Sequence, residues 1–382
     1  MSLLTPGWQR SGGLVDDAAL VAAMVRVEAA WLQVTAGLEL PEVAGLDLDA
    51  DPTGNPVTPL VAALRAAASD DVAPLIHRGL TSQDVLDTAL QLLTRDALVA
   101  ITDSLDAAVG SLADLARTHR DAVMAGRTLT QYAVPVTFGL VAAQWLVGLL
   151  DARDGVRAVR RVVPVQCGGA AGTLSLADTV LEADPVATAA DFADELGLAW
   201  PGLPWHTRRT PVTRAGDAVV EALDAAGVIA ADVLLLGRAE NGEVREGARD
   251  GAGGSSTMPH KQNPVLATVV RSASMQAPQL GATLHLAAGN AVDQRPDGAW
   301  HAEWPTLQRL LGLGIVATSQ VAELTAGLQV DVDLMRRRAE ENAEALLAES
   351  RGVTDVDHYL GAAGAFVDEA LARAAGRDRA DG

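Results

Sequence analysis

The sequence predicts an all-α fold. Long stretches follow a helical repeat of apolar residues, alternating strand patterns are scarce, and the many small aliphatic side chains suit helices packed at close range. Of the 382 residues, 49% are hydrophobic and 20% are charged, which excludes a disordered chain and provides a sizeable core. The length is compatible with two or three domains.

The first long helix begins at a recognisable start signal. Thr81, Ser82 and Asp84 belong to a stretch with the S/T-x-x-D/E pattern of a helix N-terminus. Apolar residues then recur at helical spacing from Val85 to Leu115, which predicts one helix of about 35 residues, roughly 50 Å long. A helix of this length indicates a bundle rather than a compact α/β domain.

The same repeat predicts four further long helices. Their expected spans are 135–160, 215–244, 264–288 and 304–328. After Val330 the repeat becomes shorter and more charged. We therefore expect an N-terminal helical domain (1–83), a central long-helix bundle (84–328) and a short C-terminal helical domain (329–382).

Composition also excludes several classes of partner. The formal net charge of −20 argues against a nucleic-acid binder, whose footprint is a basic patch. Cys167 is the only cysteine, so neither an intramolecular disulfide nor a thiolate zinc cluster can form. No signal-peptide pattern is present, and the uncharged stretch 128–150 contains enough polar residues to predict a buried helix rather than a membrane span. We expect a cytoplasmic protein without a membrane partner.

The most informative stretch is the glycine-rich segment 247–264. Ser255, Lys261 and Asn263 follow its glycines, and Pro264 is expected to begin the next helix with Asn263 as its cap. Such a segment can present N–H groups, a cation and an amide to a carboxylate-rich ligand. It matches neither a phosphate-binding P-loop nor a G-x-S-x-G nucleophile elbow, and the appended Met-Pro-His-Lys-Gln-Asn-Pro argues against a plain flexible linker.

Residues 254–264 resemble the signature of the fumarase/aspartase superfamily, Gly-Ser-Ser-x-Met-Pro-x-Lys-x-Asn-Pro, at every fixed position. Two further blocks agree, since residues 79–89 resemble the superfamily's Thr-Ser-x-Asp block and residues 124–128 its Gly-Arg-Thr block. Within the superfamily the likeness is strongest to the 3-carboxy-cis,cis-muconate cycloisomerases, and it is carried by segments 126–140, 164–173, 203–207 and 300–304. The resemblance implies a long central helical bundle flanked by two small helical domains, with the C-terminal one abbreviated.

The resemblance also implies a reaction and a site. The chain would interconvert 3-carboxy-cis,cis-muconate and 4-carboxymuconolactone in protocatechuate (beta-ketoadipate) catabolism, with Ser255 as the carbon acid/base and without a metal or organic cofactor. A homotetramer with active sites shared between chains is expected. By position in the matched blocks, the residues that bind the tricarboxylate substrate would be Thr81, Ser82, Arg127, Thr128, Gln131, Lys261, Asn263 and Arg295.

One departure from the related lyases carries physical information. Those lyases commonly protonate the leaving group with a histidine paired to a glutamate, and the two positions fall here on Leu129 and Thr268. A carboxylate leaving group, with a pKa of about 4, needs no such acid, which favours cycloisomerisation. A superfamily lyase that eliminates another good leaving group from a succinyl-like polycarboxylate remains an alternative.

A non-catalytic helical scaffold is the third hypothesis, although such a scaffold has no need of Ser255, Lys261 and Asn263. The sequence leaves the roles of three histidines open, because histidines of this kind are more often packed or solvated than catalytic. They are His77, His206 and His301.

Overall fold

The computed structural model describes residues 3–43, 45–46, 48–181, 183–247, 253–254, 257–258 and 261–376. This part of the chain is mostly helical, which confirms the predicted all-α class. The α-helices in the described residues are α1 (Asp17–Ala36), α2 (Val57–Ala67), α3 (Ser82–Thr118), α4 (Phe138–Arg160), α5 (Ser175–Val180), α6 (Pro185–Leu196), α7 (Thr210–Leu236), α8 (Val265–Gly289), α9 (Gly298–Ala326), α10 (Val332–Glu341), α11 (Ala343–Leu346) and α12 (Ala363–Ala374). Two short antiparallel pairs join β1 (Val123–Thr128) to β2 (Gln131–Thr137) and β3 (Val244–Arg245) to β4 (Gln329–Val330).

The chain forms two compact units. The first comprises Met1–Ala100, Val156–Val219 and Ala277–Ile315, and the second comprises Ile101–Gly155, Val220–Gln276 and Val316–Gly382. The boundaries between the units fall within the five long helices α3, α4, α7, α8 and α9. The division into an N-terminal, a central and a C-terminal domain stays a prediction.

The long helices follow the predicted repeat closely. Helix α3 contains 37 residues, and its first turn carries the predicted start signal. Helix α8 starts one residue after the expected Pro264, while α9 starts at Gly298, six residues before the expected start, and includes Pro305 within its length. Periodicity therefore identifies all five long helices, with errors confined to their ends.

A strand was missed at residues 131–137, where a long helix was expected to begin at Pro135. These residues form strand β2, which pairs with β1 in a hairpin before α4 begins at Phe138. Pro135 has no N–H to continue a helix, and the neighbouring valines and Thr137 are β-branched, so the strand conformation is favoured. The hairpin was missed because its turn carries no Asn-Gly or Asp-Gly signal.

That turn consists of Leu129 and Thr130, which both have positive φ angles of 50° and 71°. A two-residue hairpin turn with positive φ at both positions normally uses Asn and Gly, because a Cβ is crowded in the left-handed region. Leu129 is 95% exposed, so packing of its side chain does not compensate for the strain. The hairpin must therefore be held by contacts elsewhere along its strands.

Those contacts lie in the second unit. Val123 and Ala125 of β1 are buried in a cluster with Ala339 of α10 and Leu346 of α11. Leu347 and Val356 belong to the same cluster. The C-terminal helices thus provide the apolar surface on which the hairpin rests, and burial of these side chains stabilises the strained turn from a distance.

The first unit contains a buried ion network on α3. The Arg209 guanidinium lies 2.7 and 3.0 Å from the two carboxylate oxygens of Asp87 and 2.6 Å from Glu303 Oε2, and all three side chains are at most 3% exposed. The Trp300 indole N–H also donates to Asp87, at 2.9 Å. Burial raises the pKa of the Glu303 carboxyl despite the opposing attraction of Arg209. One cation therefore serves two buried acids.

Among the described helices, α1 is long and apolar enough by length and composition to span a membrane. This is a weak indication, because the core helices of many folded domains pass the same test, and 39% of the relevant window is buried inside the fold. Trp31 on α1 packs edge-on against Phe192 of α6, with ring centroids 5.3 Å apart. The expected cytoplasmic location stays a prediction.

The ion network predicts a large effect of losing its cation. Arg209→Met keeps much of the side-chain volume but leaves Asp87 and Glu303 buried without a counter-charge, so the free energy of unfolding should fall by about 3–5 kcal/mol. Arg117→Met, which breaks an exposed pair with Asp114, should change it by less than about 1 kcal/mol. Urea unfolding at fixed protein concentration measures both. The loss of unfolding free energy in Arg209→Met should become smaller as the pH is lowered, because burial raises the pKa of Glu303 and protonation neutralises it. Equal losses in both variants would contradict the assignment.

The strained turn predicts a stabilising double substitution. Leu129→Asn with Thr130→Gly supplies residues that tolerate positive φ, so the free energy of unfolding should rise by about 1–2 kcal/mol. Leu129→Ala with Thr130→Ala is the matched control, since alanine keeps the Cβ and should give no such gain. Thermal unfolding compares them. An equal gain from both pairs would trace the effect to the exposed leucine side chain rather than to the backbone.

Candidate functional site

The start of α3 is built as predicted. Thr81 is the N-cap residue, and the Asp84 carboxylate accepts a hydrogen bond from the Thr81 backbone N–H at 3.0 Å, which is half of a capping box. The Thr81 hydroxyl is not used for the reciprocal bond and instead accepts one from the Arg295 guanidinium. Thr81, Ser82 and Arg295 are all partly accessible. The structure thus brings a predicted cation to the N-terminal end of a long helix, where the helix dipole also favours an anion.

Asp84 does more than cap the helix. Its two oxygens also accept from the backbone N–H groups of Gly168 and Gly169, at 2.9 and 2.8 Å, and lie 3.0 Å from His206 Nε2 at the nearest. The carboxylate is fully buried. A Cβ on Gly168 would lie 2.8 Å from Pro204, so this position requires glycine for close approach. The glycine-rich stretch 168–173 is therefore tied directly to the start of α3.

The hairpin positions a second group of predicted residues, in the second unit. Thr128 and Gln131 flank the strained turn and are exposed. Arg127 is bound to Glu243 through two hydrogen bonds of 3.0 and 2.7 Å. Burial lowers the pKa of the Arg127 guanidinium, but the hydrogen bonds and charge of Glu243 outweigh burial and raise it, so Arg127 stays charged. Its guanidinium stabilises the hairpin in this structure.

Glu243 connects the hairpin to the C-terminal helices. This carboxylate is fully buried and also accepts from Arg338 of α10 at 3.2 Å. Its backbone carbonyl accepts from the Asp331 N–H at 3.0 Å, immediately before α10. Sequence reasoning missed Glu243, because its partners lie about a hundred residues away in both directions.

Segment 247–264 carries the third predicted group. Lys261 is exposed, and its backbone N–H donates to the Met258 carbonyl at 3.0 Å. The Asn263 N–H donates to the Gly253 carbonyl at 2.7 Å. Ser255, the predicted carbon acid/base, lies outside the described residues. The expected cap was wrong: α8 begins at Val265 rather than at Pro264, and the Glu246 carboxylate, not the Asn263 side chain, accepts from the N–H groups of Leu266 and Ala267 in its first turn.

Lys261 has a further property that the sequence analysis overlooked. The chain contains 29 basic side chains in Lys and Arg together, and Lys261 is the only lysine. All the others are therefore arginines. Every ion pair described here that involves lysine or arginine uses an arginine. A single ammonium group in the predicted ligand-binding segment indicates a position where a guanidinium does not serve, because the two groups differ in shape and hydration.

The three histidines whose roles the sequence left open have distinct surroundings. His77 Nδ1 lies 2.6 Å from Glu28 Oε1, and Glu28 is buried on α1. His301 is exposed, and its Nε2 lies 2.8 Å from the Gly54 carbonyl oxygen. His206 is buried against Asp84, and its Nδ1 has no hydrogen-bond partner among the described residues. These contacts are those of packed or solvated histidines and support no direct catalytic role.

The predicted residues therefore fall into groups that the two units hold separately. Thr81, Ser82 and Arg295 belong to the first unit. The second unit contains Arg127, Thr128, Gln131, Lys261 and Asn263. Within the part of the chain that the structure describes, no cluster of three or more histidine, cysteine, aspartate or glutamate side chains could hold a metal ion.

Leu129 and Thr268 stand where related lyases hold their proton donor, and both lie in the second unit. Leu129 projects into solvent at the tip of the hairpin. Thr268 lies on the first turn of α8, where its hydroxyl donates to the Pro264 carbonyl at 2.7 Å. Neither side chain can supply a proton to a leaving group at neutral pH.

Comparisons with known proteins identify the family of the chain. A family model described as Lyase matches residues 53–278. The chain is 46% identical over 354 residues to a nitrosuccinate lyase of Streptomyces davaonensis, covering 84% of this chain and 73% of the relative. It is 39% identical over 364 residues to a 3-carboxy-cis,cis-muconate cycloisomerase of Bradyrhizobium diazoefficiens, covering 90% and 80%.

Among solved structures, the crystal structure of 3-carboxy-cis,cis-muconate lactonizing enzyme from Pseudomonas putida is similar, with a TM-score of 0.86 and 28% identity. The match covers 98% of this chain and 99% of that one. The resemblance read from the three sequence blocks is thereby confirmed. The chain belongs to the lyase family of the fumarase/aspartase superfamily.

Proposed function

We propose that this lyase-family enzyme breaks a bond β to a carboxylate and releases the leaving group as an anion that needs no protonation. The principal reaction is the interconversion of 3-carboxy-cis,cis-muconate and 4-carboxymuconolactone. The observation that carries the proposal is the pair Leu129 and Thr268, which occupy the positions where related lyases hold their acid. One proton-transfer group, Ser255, is then sufficient.

The proton inventory of the reaction balances with that single group. In the lactone-opening direction, Ser255 removes the proton beside a carboxylate, the ring C–O bond breaks, and its electron pair leaves on a carboxylate. In the reverse direction the carboxylate oxygen adds to the alkene, and the protonated Ser255 returns the proton to carbon. Because a carboxylic acid has a pKa of about 4, the departing anion is stable at neutral pH. The intramolecular nucleophile gains further from proximity.

Charge complementarity supports an anionic substrate in spite of the chain's net charge of −20. Lys261 and Arg295 supply cations, and the N-terminal end of α3 adds the positive end of a helix dipole beside Thr81 and Ser82. Thr128 and Gln131 offer polar groups at the hairpin tip. Arg127, bound to Glu243, contributes by fixing that hairpin.

Elimination from nitrosuccinate is a second candidate. The 46% identity to a nitrosuccinate lyase favours it. Nitrite is the conjugate base of an acid about as strong as a carboxylic acid, so its departure is equally independent of a general acid. In each reaction two carboxylates stay unchanged and one stable anion forms, as a new carboxylate or as nitrite. The same residues therefore serve either reaction.

Two substrates and two serine variants test the proposal. Wild-type protein should consume 3-carboxy-cis,cis-muconate, followed as loss of diene absorbance; release of nitrite from nitrosuccinate, measured by diazo coupling, reports the alternative. Ser255→Ala should lower kcat/KM by about 10²–10⁴-fold, as expected for loss of a proton-transfer group. Ser256→Ala, which removes the neighbouring hydroxyl, should have a far smaller effect. Turnover of neither substrate would favour the non-catalytic scaffold, and equal effects of the two serines would exclude Ser255 as the base.

The single lysine generates a second prediction. Lys261→Arg keeps the charge but replaces a compact ammonium with a planar guanidinium, so kcat/KM should fall by at least about tenfold. Arg271→Lys, at an exposed position on α8, is the reverse exchange and should leave kcat/KM unchanged. Steady-state kinetics on whichever substrate is turned over decides this. Full activity of Lys261→Arg would show that charge alone is required there.

The predicted site residues are divided between the two units, and the resemblance to the superfamily implies a homotetramer whose active sites are shared between chains. Sedimentation analysis of the purified protein measures this state.

A further inference from the structure

Helix α8 has an unusual cap. Its N-cap residue is Pro264, whose carbonyl accepts the first helical bond from Thr268 but whose side chain has no oxygen. The Glu246 carboxylate fills that role, because its oxygens accept from the N–H groups of Leu266 and Ala267 at 3.1 and 2.7 Å. These are the second and third helical positions, which an N-cap side chain normally satisfies. The negative charge also complements the helix dipole.

Glu246 and the helix that it caps lie at opposite ends of segment 247–264. Glu246 immediately precedes the segment, and the helix it caps immediately follows it. The neighbouring Arg245 is paired with Gln329 in the short β3–β4 ladder. A Cβ on Gly247 would lie 2.6 Å from the Gly327 carbonyl, so the backbone there packs closely against the start of β4. The first end of the segment is therefore fixed, and Glu246 fixes the second end to it.

A second link lies further into the segment. The Gly253 carbonyl accepts from the Asn263 N–H at 2.7 Å, and a Cβ on Gly253 would lie 2.9 Å from the Asn263 carbonyl. Gly253 has a φ of 74°, so glycine is required both for conformation and for this approach. Lys261 stands two residues before Asn263. The Glu246 cap and the Gly253–Asn263 hydrogen bond together hold residues 246 and 253 near residues 263–267.

We propose that Glu246 is a positioning residue that clasps the two ends of segment 247–264 and thereby sets the place of Lys261 and Asn263. The proposal rests on the proposed function, in which these two residues bind the substrate. A serine or aspartate at position 264 would cap α8 locally, whereas a cap from Glu246 also closes the segment. The link from Glu246 to Leu266 and Ala267 thereby limits how far Asn263 can move before substrate binds.

The test separates closure of the segment from capping of the helix. Glu246→Ala removes both, and Glu246→Ala with Pro264→Ser restores a local cap without restoring the link. Asp16→Ala, which removes the N-cap of α1 in the first unit, is the matched control for loss of a capping carboxylate. Pro264→Ser alone is the reference for the double variant. Thermal unfolding and steady-state kinetics are measured for all four.

The single lysine provides a readout that does not depend on activity. Endoproteinase Lys-C can cut this chain only after Lys261, so its rate on the native protein reports how firmly the segment is held. Glu246→Ala should accelerate cleavage and lower kcat/KM, each by about tenfold. The double variant should regain thermal stability but neither of these properties. Asp16→Ala should lose thermal stability while cleavage and kcat/KM stay near wild type.

Two results would overturn the proposal. If the double variant regained slow cleavage and full kcat/KM, Glu246 would be only a helix cap. If Glu246→Ala were cleaved at the wild-type rate, the clasp would not exist. When wild-type protein turns over neither substrate, the proposed function fails, and the Lys-C rates still decide whether Glu246 holds the segment.

Discussion

A carboxylate that leaves water requires hydrogen bonds from several directions, and this requirement organises both units of the chain. Asp84 meets it with three backbone N–H groups and His206, which join the start of α3 to the stretch 168–173. Glu243 meets it with two guanidinium groups, and Glu246 accepts two amides of α8. Each acid thereby joins segments that are distant in sequence, and the predicted substrate-binding residues stand beside these junctions.

The choice of cations follows from the same requirement. Arg209, Arg127 and Arg338 each contact buried carboxylates, and a planar guanidinium suits that task because it donates in two parallel directions. Lys261 is exposed in the signature segment. An ammonium group on a flexible stem can follow a ligand whose charge moves during the reaction. Arg127, Arg209 and Arg338 thus hold buried carboxylates, whereas Lys261 carries its charge at the surface.

Much of the fold could be predicted from local patterns. Helix α3 was predicted from its apolar repeat and from the capping signal at Thr81, because both act within a few residues. The β1–β2 hairpin could not be predicted, since Leu129 and Thr130 carry no turn signal and the strands depend on packing against α10 and α11. Stabilisation of that kind comes from residues more than two hundred positions away.

The same distinction applies to the site. Motif spacing identified residues such as Lys261 and Arg295, because the signature blocks are contiguous in sequence. It could not identify the partner of Arg127, which stands 116 positions away, or the cap of α8, which a local reading assigned to Asn263. Residues within a contiguous motif can thus be predicted from the sequence, whereas the partner of a buried side chain can be identified only in the folded structure.

The pairing of Arg127 with Glu243 changes what the proposed site can use. Two of its guanidinium nitrogens already donate to Glu243, and one of them also donates to the Ala125 carbonyl, so fewer N–H groups remain for a substrate carboxylate than on a free guanidinium. Together with Arg338, however, the cluster keeps one net positive charge near the hairpin, and burial limits screening of its field. The proposed function therefore assigns direct contact with the substrate to Lys261 and Arg295. Two such cations match the two carboxylates that the lactone and nitrosuccinate both carry, and the leaving group gains its negative charge only as its bond breaks, so its departure is favoured by a donor that faces it rather than by the lack of one.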